Sequence, residues 1–284
     1  MIKKLKINFN INSIAFYAVL GFLSLLFVYP IIIIVYNSFK SRFQILGDPF
    51  SLPNSDSFVG FENYINGVRQ SDFLRSFFNS LFITVVSVVL IVVFTSMIAW
   101  YITRIKTRFT KILYYAFVFS MIVPFQMVMY TLTYIAYGMN LNSIIGITFI
   151  YLGFGAGLSV FTYCGFIKSI PVEIEESAMI DGCNPLQTFF YVIFPVLKPT
   201  TITIAILNAM WIWNDYLLPY LVLGTGNNKT IPVAIQQALK GLYGDVDWGA
   251  FMGMLVLTVI PIIIFYIFTQ KYMIKGVLAG AVKG

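Results

Sequence analysis

The sequence predicts an all-α integral membrane protein with six transmembrane helices and both ends in the cytoplasm. Hydrophobic residues make up 59% of its 284 residues and charged residues only 10%, whereas a soluble domain carries about 25% charged residues. Mean hydropathy is +0.87. Such a chain lacks the polar side chains that would cover a water-facing surface. It does contain six apolar segments of the length, about 20 residues, that crosses the hydrocarbon core.

The first apolar segment follows a short basic tail. Its apolar run is longer and bulkier than that of a cleavable signal peptide, so we expect it to be a retained helix. We expect Pro124 and Pro261 to kink the third and sixth segments. The six spans form one transmembrane domain, residues 14–272, between tails at 1–13 and 273–284. The predicted spans are 14–36, 79–103, 112–136, 143–166, 200–223 and 250–270.

Basic residues indicate the orientation, because cytoplasmic loops carry an excess of Lys and Arg. With the N-terminus inside, two thirds of the 18 Lys and Arg residues face the cytoplasm. The cluster Arg104, Lys106 and Arg108 between the second and third spans is the strongest indicator. We interpret the net charge of +7 in the same way, since no basic stretch is interleaved with base-stacking aromatic residues.

Residue types exclude several chemistries for this chain. There is no His, and Cys164 and Cys183 lack the spacing of a metal site. No glycine-rich phosphate loop is present, so the chain is not expected to hydrolyse ATP. We therefore expect no catalytic residue, no metal site and no cofactor in this chain.

The cytoplasmic loop 168–199 is predicted to contain two short helices joined by an elbow. Pro171 suits the first position of a helix, and Glu173, Glu175 and Glu176 lie in the first turns, where the helix dipole favours anions. Gly182 can adopt the left-handed conformation that ends this first helix.

The second helix of the loop has its own start signals. Asn184 is a capping residue, Pro185 suits the first position, and Gln187 stands where a capping box needs an amide. Pro195 and Pro199 are expected to break the chain again before the fifth span. Anionic lipids repel the acidic first helix, so a protein partner is its more natural contact. A solvated linker is the alternative.

These residues resemble the EAA loop of bacterial ABC importer permeases, whose pattern is Glu-Ala-Ala, three residues, Gly, nine residues, then Ile-x-Leu-Pro. Here Glu176-Ser-Ala178, Gly182 and Val192-Ile-Phe-Pro195 match it, with small or apolar replacements at three positions. The resemblance implies a type I ABC importer permease fold in which this loop is the coupling helix. The implied ATPase-coupling residues are Glu176, Ser177, Ala178, Asp181, Gly182 and Pro195.

The resemblance extends to other segments. Phe78-Asn-Ser-Leu81, the run 99–104, the run 213–219 and the tail 274–284 are similar to the maltose-type, carbohydrate-uptake branch that lacks a large extracellular insertion. The family implies a bacterial inner-membrane protein working with a second permease, two ATPases that bind ATP and Mg, and an external solute-binding protein. The implied substrate is a sugar or oligosaccharide, and the implied mechanism is alternating access.

A polar cluster in the fifth span is a candidate solute pathway. Asp215 is the only carboxylate within a predicted span, and such residues are often functional. On a continuous helix Asn208, Trp211 and Asp215 would share a face. An interhelical contact, or a contact with the binding protein at the outer rim, is the alternative for Asp215. The candidate pathway residues are Asn208, Trp211, Asn214, Asp215, Tyr216 and, in the third span, Gln126.

Two other functions stay open at this point. The chain can be an ABC permease for another small polar solute, such as glycerol phosphate, a peptide or a polyamine. A secondary transporter is the less favoured alternative, because it would commonly show inverted repeats and intramembrane charges for ion coupling.

Overall fold

The computed structural model describes residues 11–238 and 246–281, and these ranges consist of helices joined by turns and loops, with one isolated bridge between Lys40 and Phe58. The all-α prediction is confirmed for this part of the chain. In chain order the helices are α1 (Ile11–Asn37), α2 (Arg42–Gly47), α3 (Glu62–Gln70), α4 (Phe73–Arg104), α5 (Arg108–Ile122), α6 (Phe125–Gly138), α7 (Gly146–Ile167), α8 (Glu173–Ile180), α9 (Pro185–Val196), α10 (Lys198–Asn214), α11 (Leu217–Leu223), α12 (Ile231–Ala238) and α13 (Trp248–Ala281).

Within the described residues, four of these helices are long and apolar enough to cross a membrane by themselves. They are α1, α4, α7 and α13, and they coincide with the first, second, fourth and sixth predicted spans. Two bent pairs, α5 with α6 and α9 with α10, bring the number of spans to six when each pair counts as one.

The third span is broken more sharply than a proline kink. We predicted a continuous helix over 112–136, but α5 and α6 meet at an angle of 107°. Val123 has an extended backbone, with φ −75° and ψ 113°. The break follows from Pro124, which lacks an N–H and disfavours a helical conformation at the residue before it.

The fifth span also differs from its prediction, 200–223. Helix α10 ends at Asn214, and Asp215 takes an extended conformation with φ −73° and ψ 123°. The Asp215 carboxylate accepts hydrogen bonds from the N–H groups of Leu217 and Leu218, at 3.0 and 3.4 Å. An Asp that bonds the backbone ahead of it in this way starts a new helix instead of continuing the old one.

The chain breaks before the fifth span as predicted, but the break lies between Pro195 and Pro199 and not at Pro195 itself. Helix α9 runs through Pro195 to Val196, and the bend of 78° falls at the following residue, Leu197. Residues Thr188–Ile193 are π-helical, and Pro195 lies in the first turn of the α-helical end that follows. Pro199 lies in the first turn of α10, directly after the bend.

Helix α13 is longer than the predicted sixth span, 250–270. It continues through Pro261 and extends to Ala281, so the backbone of the expected tail is helical as far as that residue. The expected N-terminal tail lies outside the described residues up to position 10.

The described chain divides into two compact units. One comprises residues up to Ser71 together with 246–259, and the other comprises residues 72–237 and 260–281. In the first unit the segment between α1 and α3 folds around the buried Lys40, whose ammonium group donates to the carbonyl oxygens of Asp48 (2.6 Å) and Ser51 (3.0 Å).

Helix α7 is the centre of the second unit, where it packs on α4, α5 and α10. Small residues permit this close approach, as in other membrane helix pairs. A Cβ at Gly155 would lie 2.5 Å from Ile91 and 2.8 Å from Asn208, and a Cβ at Gly157 would lie 2.7 Å from Ser120. The same unit carries the loop that holds α8 and α9.

Candidate functional site

The loop between α7 and α10 contains the two short helices that the sequence predicts. Glu173, Glu175 and Glu176 occupy the first turn of α8. Gly182 follows the helix with φ +88°, in the left-handed region that glycine adopts without strain. The capping box is present, with Asn184 and Gln187 exchanging two hydrogen bonds of 2.9 Å. These features fix the elbow by local interactions.

Glu175 joins α8 to the end of α4. Its carboxylate accepts a hydrogen bond of 2.7 Å from Nε of Arg104 and lies 2.6 Å from Nη2 of the same guanidinium. The other carboxylate oxygen accepts a hydrogen bond of 2.9 Å from the indole N–H of Trp100. Glu175 is only 4% exposed. We call Glu175, Arg104 and Trp100 the α4–α8 clamp.

Arg104 and Trp100 each have a second attachment. Arg104 also donates to the carbonyl oxygen of Ile170, at 3.0 Å, just before α8 begins. The Trp100 ring packs on the buried Phe189 of α9, with centroids 5.5 Å apart. The last turns of α4 therefore hold α8 through a charge-assisted network and α9 through an aromatic contact.

The rest of α8 is open to a partner. Glu176, Ser177, Asp181 and Gly182 are exposed, and Ile180 is 85% exposed at the end of the helix. Of the other predicted coupling residues, Ala178 is buried on the same side as Glu175, and Pro195 is exposed on α9. The helix thus has one face fixed to the membrane domain and another that presents carboxylates and an apolar tip.

The clamp was not identified from the sequence, where Arg104 was interpreted as an orientation signal. Glu175 and Arg104 are 71 positions apart, so no local pattern connects them. One usable signal was present. Glu175 and Ala178 have the three-residue spacing that puts both on one face of a helix, and that is the buried face of α8.

The candidate pathway residues are only partly brought together. The hydroxyl of Tyr151 on α7 donates to the Asp215 carboxylate at 3.0 Å, and its ring meets Trp211 edge-on with centroids 5.5 Å apart. Tyr151 is fully buried and was not predicted as a site residue. It connects two candidates that the sequence placed on one helix face, although Asp215 lies beyond the end of that helix.

Asn208 is buried and serves internal contacts. Its amide donates to the carbonyl of Ile204 (2.9 Å) and to the Ser159 hydroxyl on α7 (3.3 Å). With Trp211 it lines a cavity of about 160 Å³, smaller than the range of about 300–1,000 Å³ typical of ligand pockets.

The remaining candidates lie apart from this group. Asn214 is exposed and donates to the carbonyl of Met210, while Tyr216 stacks on Tyr220 with centroids 5.3 Å apart. Gln126 is exposed at the start of α6. Among the described residues, no hydrogen bond or ring contact joins these three to Asp215, Trp211 or Tyr151.

Similar proteins are permease subunits. Residues 91–278 match the family described as the binding-protein-dependent transport system inner membrane component. A probable starch degradation products transport system permease protein, AmyC of Thermoanaerobacterium thermosulfurigenes, is 38% identical over 92% of this chain and 93% of its own length. The multiple sugar-binding transport system permease protein MsmG of Streptococcus mutans is 33% identical over 96% of this chain and 98% of its own length.

A solved structure supports the same assignment. The fold resembles a chain in the crystal structure of a bacterial ABC transporter involved in the import of the acidic polysaccharide alginate, with a TM-score of 0.77 and 26% identity. The similarity covers 92% of this chain and 96% of that one. With its apolar spans and its surface loop of two short helices, this chain belongs to the binding-protein-dependent transport system inner membrane component family and is a membrane-spanning permease subunit of an ABC importer.

Proposed function

We propose that this permease carries a sugar or oligosaccharide across the bacterial inner membrane, and that α8 is the helix through which ATPase subunits drive it. The sugar assignment is supported by the relatives, which are named for starch degradation products, multiple sugars and alginate. The driving role of α8 is supported by the α4–α8 clamp, because it ties an exposed acidic helix to a transmembrane span.

The clamp gives α8 a mechanical connection to the membrane domain. A force applied at the exposed face of α8 reaches Arg104 and Trp100, which stand in the last two turns of α4. Helix α4 has 32 residues and is therefore about 48 Å long at 1.5 Å per residue. It packs against α7 and α10, so its displacement would move the centre of the same unit.

The complete importer in this proposal has parts that this chain does not supply. Two ATPase subunits bind ATP and Mg and grip the coupling residues Glu176, Ser177, Asp181 and Gly182. A second permease, a different chain, completes the cavity, and an external binding protein delivers the solute. This chain supplies the pathway and the mechanical connection and catalyses no reaction. Alternating access results when the ATPases move α8, because the α4–α8 clamp passes that movement to the membrane helices.

Two roles are available for the cluster of Tyr151, Trp211 and Asp215. The aromatic faces and the carboxylate are the groups that bind sugars, which supports a place in the solute pathway. The alternative is a purely structural role, in which the cluster holds α7 against the end of α10. The hydrogen bonds of Asp215 favour this structural role. Asp215 already accepts one hydrogen bond from Tyr151 and two from the start of α11.

Membership of the family excludes the secondary transporter and leaves the solute to be tested. Cells that carry the complete importer would be given labelled oligosaccharides, amino acids and glycerol phosphate. Uptake of an oligosaccharide alone supports the proposal, and uptake of only a different solute overturns the sugar assignment. Purification of the chain should also bring with it an ATPase and a second permease, and their absence from a functional preparation would contradict the proposed assembly.

A further inference from the structure

A basic cavity lies at the end of the membrane domain that carries α8. It has a volume of about 500 Å³ and is bounded by the end of α4, the start of α5 and the end of α7. Part of its wall is apolar, with Ile102, Tyr114 and Cys164 facing it. Four cationic side chains line the same cavity, namely Lys106, Arg108, Lys111 and Lys168.

These charges are not neutralised by the described parts of the protein. Lys168 holds its ammonium 5.7 Å from the centre of the Tyr114 ring. In the described ranges, no carboxylate forms an ion pair with Lys106, Arg108 or Lys111. Arg104, two residues before Lys106, is in contrast committed to Glu175. Orientation of the chain requires positive charge in this loop, but it does not require four cations to converge on one cavity.

We propose that this cavity binds the headgroup of an anionic phospholipid from the cytoplasmic leaflet. Basic pockets between membrane helices on this side are suited to such headgroups, and Lys and Arg donate charge-assisted hydrogen bonds to phosphate oxygens. The cavity lies at the ends of three membrane helices, which is the level of the lipid headgroups. A lipid phosphate can therefore enter it without leaving the headgroup region. Ile102 in the last turn of α4 and Tyr114 in the second turn of α5 supply apolar contacts for the glycerol and acyl carbons.

The start of α5 adds to the attraction. Arg108 is the first residue of this helix of 15 residues, and the positive end of the helix dipole therefore faces the cavity. The Thr107–Thr110 capping box holds the turn in place, with hydrogen bonds of 3.0 and 3.2 Å. A bound phosphate would also stand beside the coupling loop, because Lys106 and Lys168 line a neighbouring cavity together with Glu173 and Glu176 of α8.

The test compares lipid binding by the full chain and by matched variants that each remove one positive charge. Lys111→Gln removes a cavity charge, and Lys198→Gln removes an exposed charge at the start of α10, on the same side of the membrane but outside the cavity. Lys111→Arg keeps the charge. Native mass spectrometry would measure binding of phosphatidylglycerol and of phosphatidylcholine, with inorganic phosphate added as a soluble competitor.

We expect phosphatidylglycerol to bind in preference to phosphatidylcholine, and Lys111→Gln to weaken it about fivefold, the effect of one cation near an anionic surface. Lys198→Gln and Lys111→Arg should bind it as the unchanged protein does. Equal losses in Lys111→Gln and Lys198→Gln would show diffuse surface attraction and overturn the proposal. So would equal binding of the two lipids, or displacement of phosphatidylglycerol by inorganic phosphate, which would identify a site for a soluble anion.

Discussion

Replacing Glu175 by Gln should release α8 from α4 while leaving the exposed face of α8 unchanged. Glu175 is 4% exposed, and its carboxylate meets both the Arg104 guanidinium and the Trp100 indole N–H. Glutamine has the same shape but only one acceptor oxygen, so either the Trp100 indole N–H or the Arg104 guanidinium loses its acceptor. The guanidinium also loses the negative charge that balances its own. Glu176→Gln is the matched control, because Glu176 is the adjacent residue and is exposed.

The magnitude follows from the burial of the pair. Removing one partner of a fully buried ion pair costs about 3–5 kcal/mol. The side chains of Arg104 and Glu175 are 17% and 5% exposed, so water can partly solvate the abandoned guanidinium. We therefore take the lower end of that range, about 3 kcal/mol, as the loss in docking free energy. At about 1.4 kcal/mol per factor of ten, this is roughly a hundredfold change in the docking equilibrium of α8.

Hydrogen exchange is the direct measurement. Backbone amides of residues 173–182 should exchange up to about a hundredfold faster in Glu175→Gln, whereas Glu176→Gln should exchange as the unchanged protein does. In the complete importer, Glu175→Gln should still hydrolyse ATP but move less solute for each ATP consumed. Equal exchange in the two variants, or full coupling in Glu175→Gln, would refute the view that the clamp transmits force.

Three further predictions concern positions where the geometry is equally specific. Gly182→Val should destabilise the elbow by about 1–2 kcal/mol, because a side chain is strained in a left-handed conformation and φ is +88° here. When transport and ATP hydrolysis are measured together, the variant should hydrolyse ATP but transport less solute, and unchanged transport would argue against the coupling role. Gly155→Ala should lower thermal stability by about 1–3 kcal/mol through overpacking, since its Cβ would meet Ile91 and Asn208, while Gly153→Ala, with open space around it, should not. Tyr151→Phe removes a hydrogen bond to Asp215 and should lower the free energy of unfolding by about 1.5–3 kcal/mol, as for bonds to charged groups. If Tyr151 has only a structural role, thermal stability falls while the transport KM is unchanged. A raised KM would instead place Tyr151 in the solute pathway.

The positions of the spans and the turns of the coupling loop were accessible from the sequence because each depends on neighbouring residues. Apolar length places a helix in the membrane, and four single spans were found where that length predicted them. Asn184 and Gln187 form a capping box three residues apart, and Gly182 forms its left-handed turn two residues before Asn184.

Breaks within spans were harder to anticipate. The bend angle depends on whether the helix continues through a proline or a capping side chain, and several residues influence that outcome at once. Pro124 was recognised as a kink, but the extended conformation of Val123 turned it into a bend of 107°. Asp215 was interpreted as a polar residue on a helix, whereas its side chain bonds to the backbone ahead and starts α11. The break expected from Pro195 and Pro199 falls between them, at Leu197, and α9 passes through Pro195 where its geometry changes from π to α.

The sequence by itself determined that this chain crosses a membrane and presents a short acidic helix at one surface, because hydropathy and capping act over a few residues. Only the tertiary structure decided what that helix is attached to. Glu175 meets Arg104 across 71 positions, and Tyr151 meets Asp215 across 64. Such pairs arise when packed helices bring distant side chains together. A buried charge or hydroxyl needs a hydrogen-bond partner, but the residues next to it in the sequence do not indicate which distant residue that partner is.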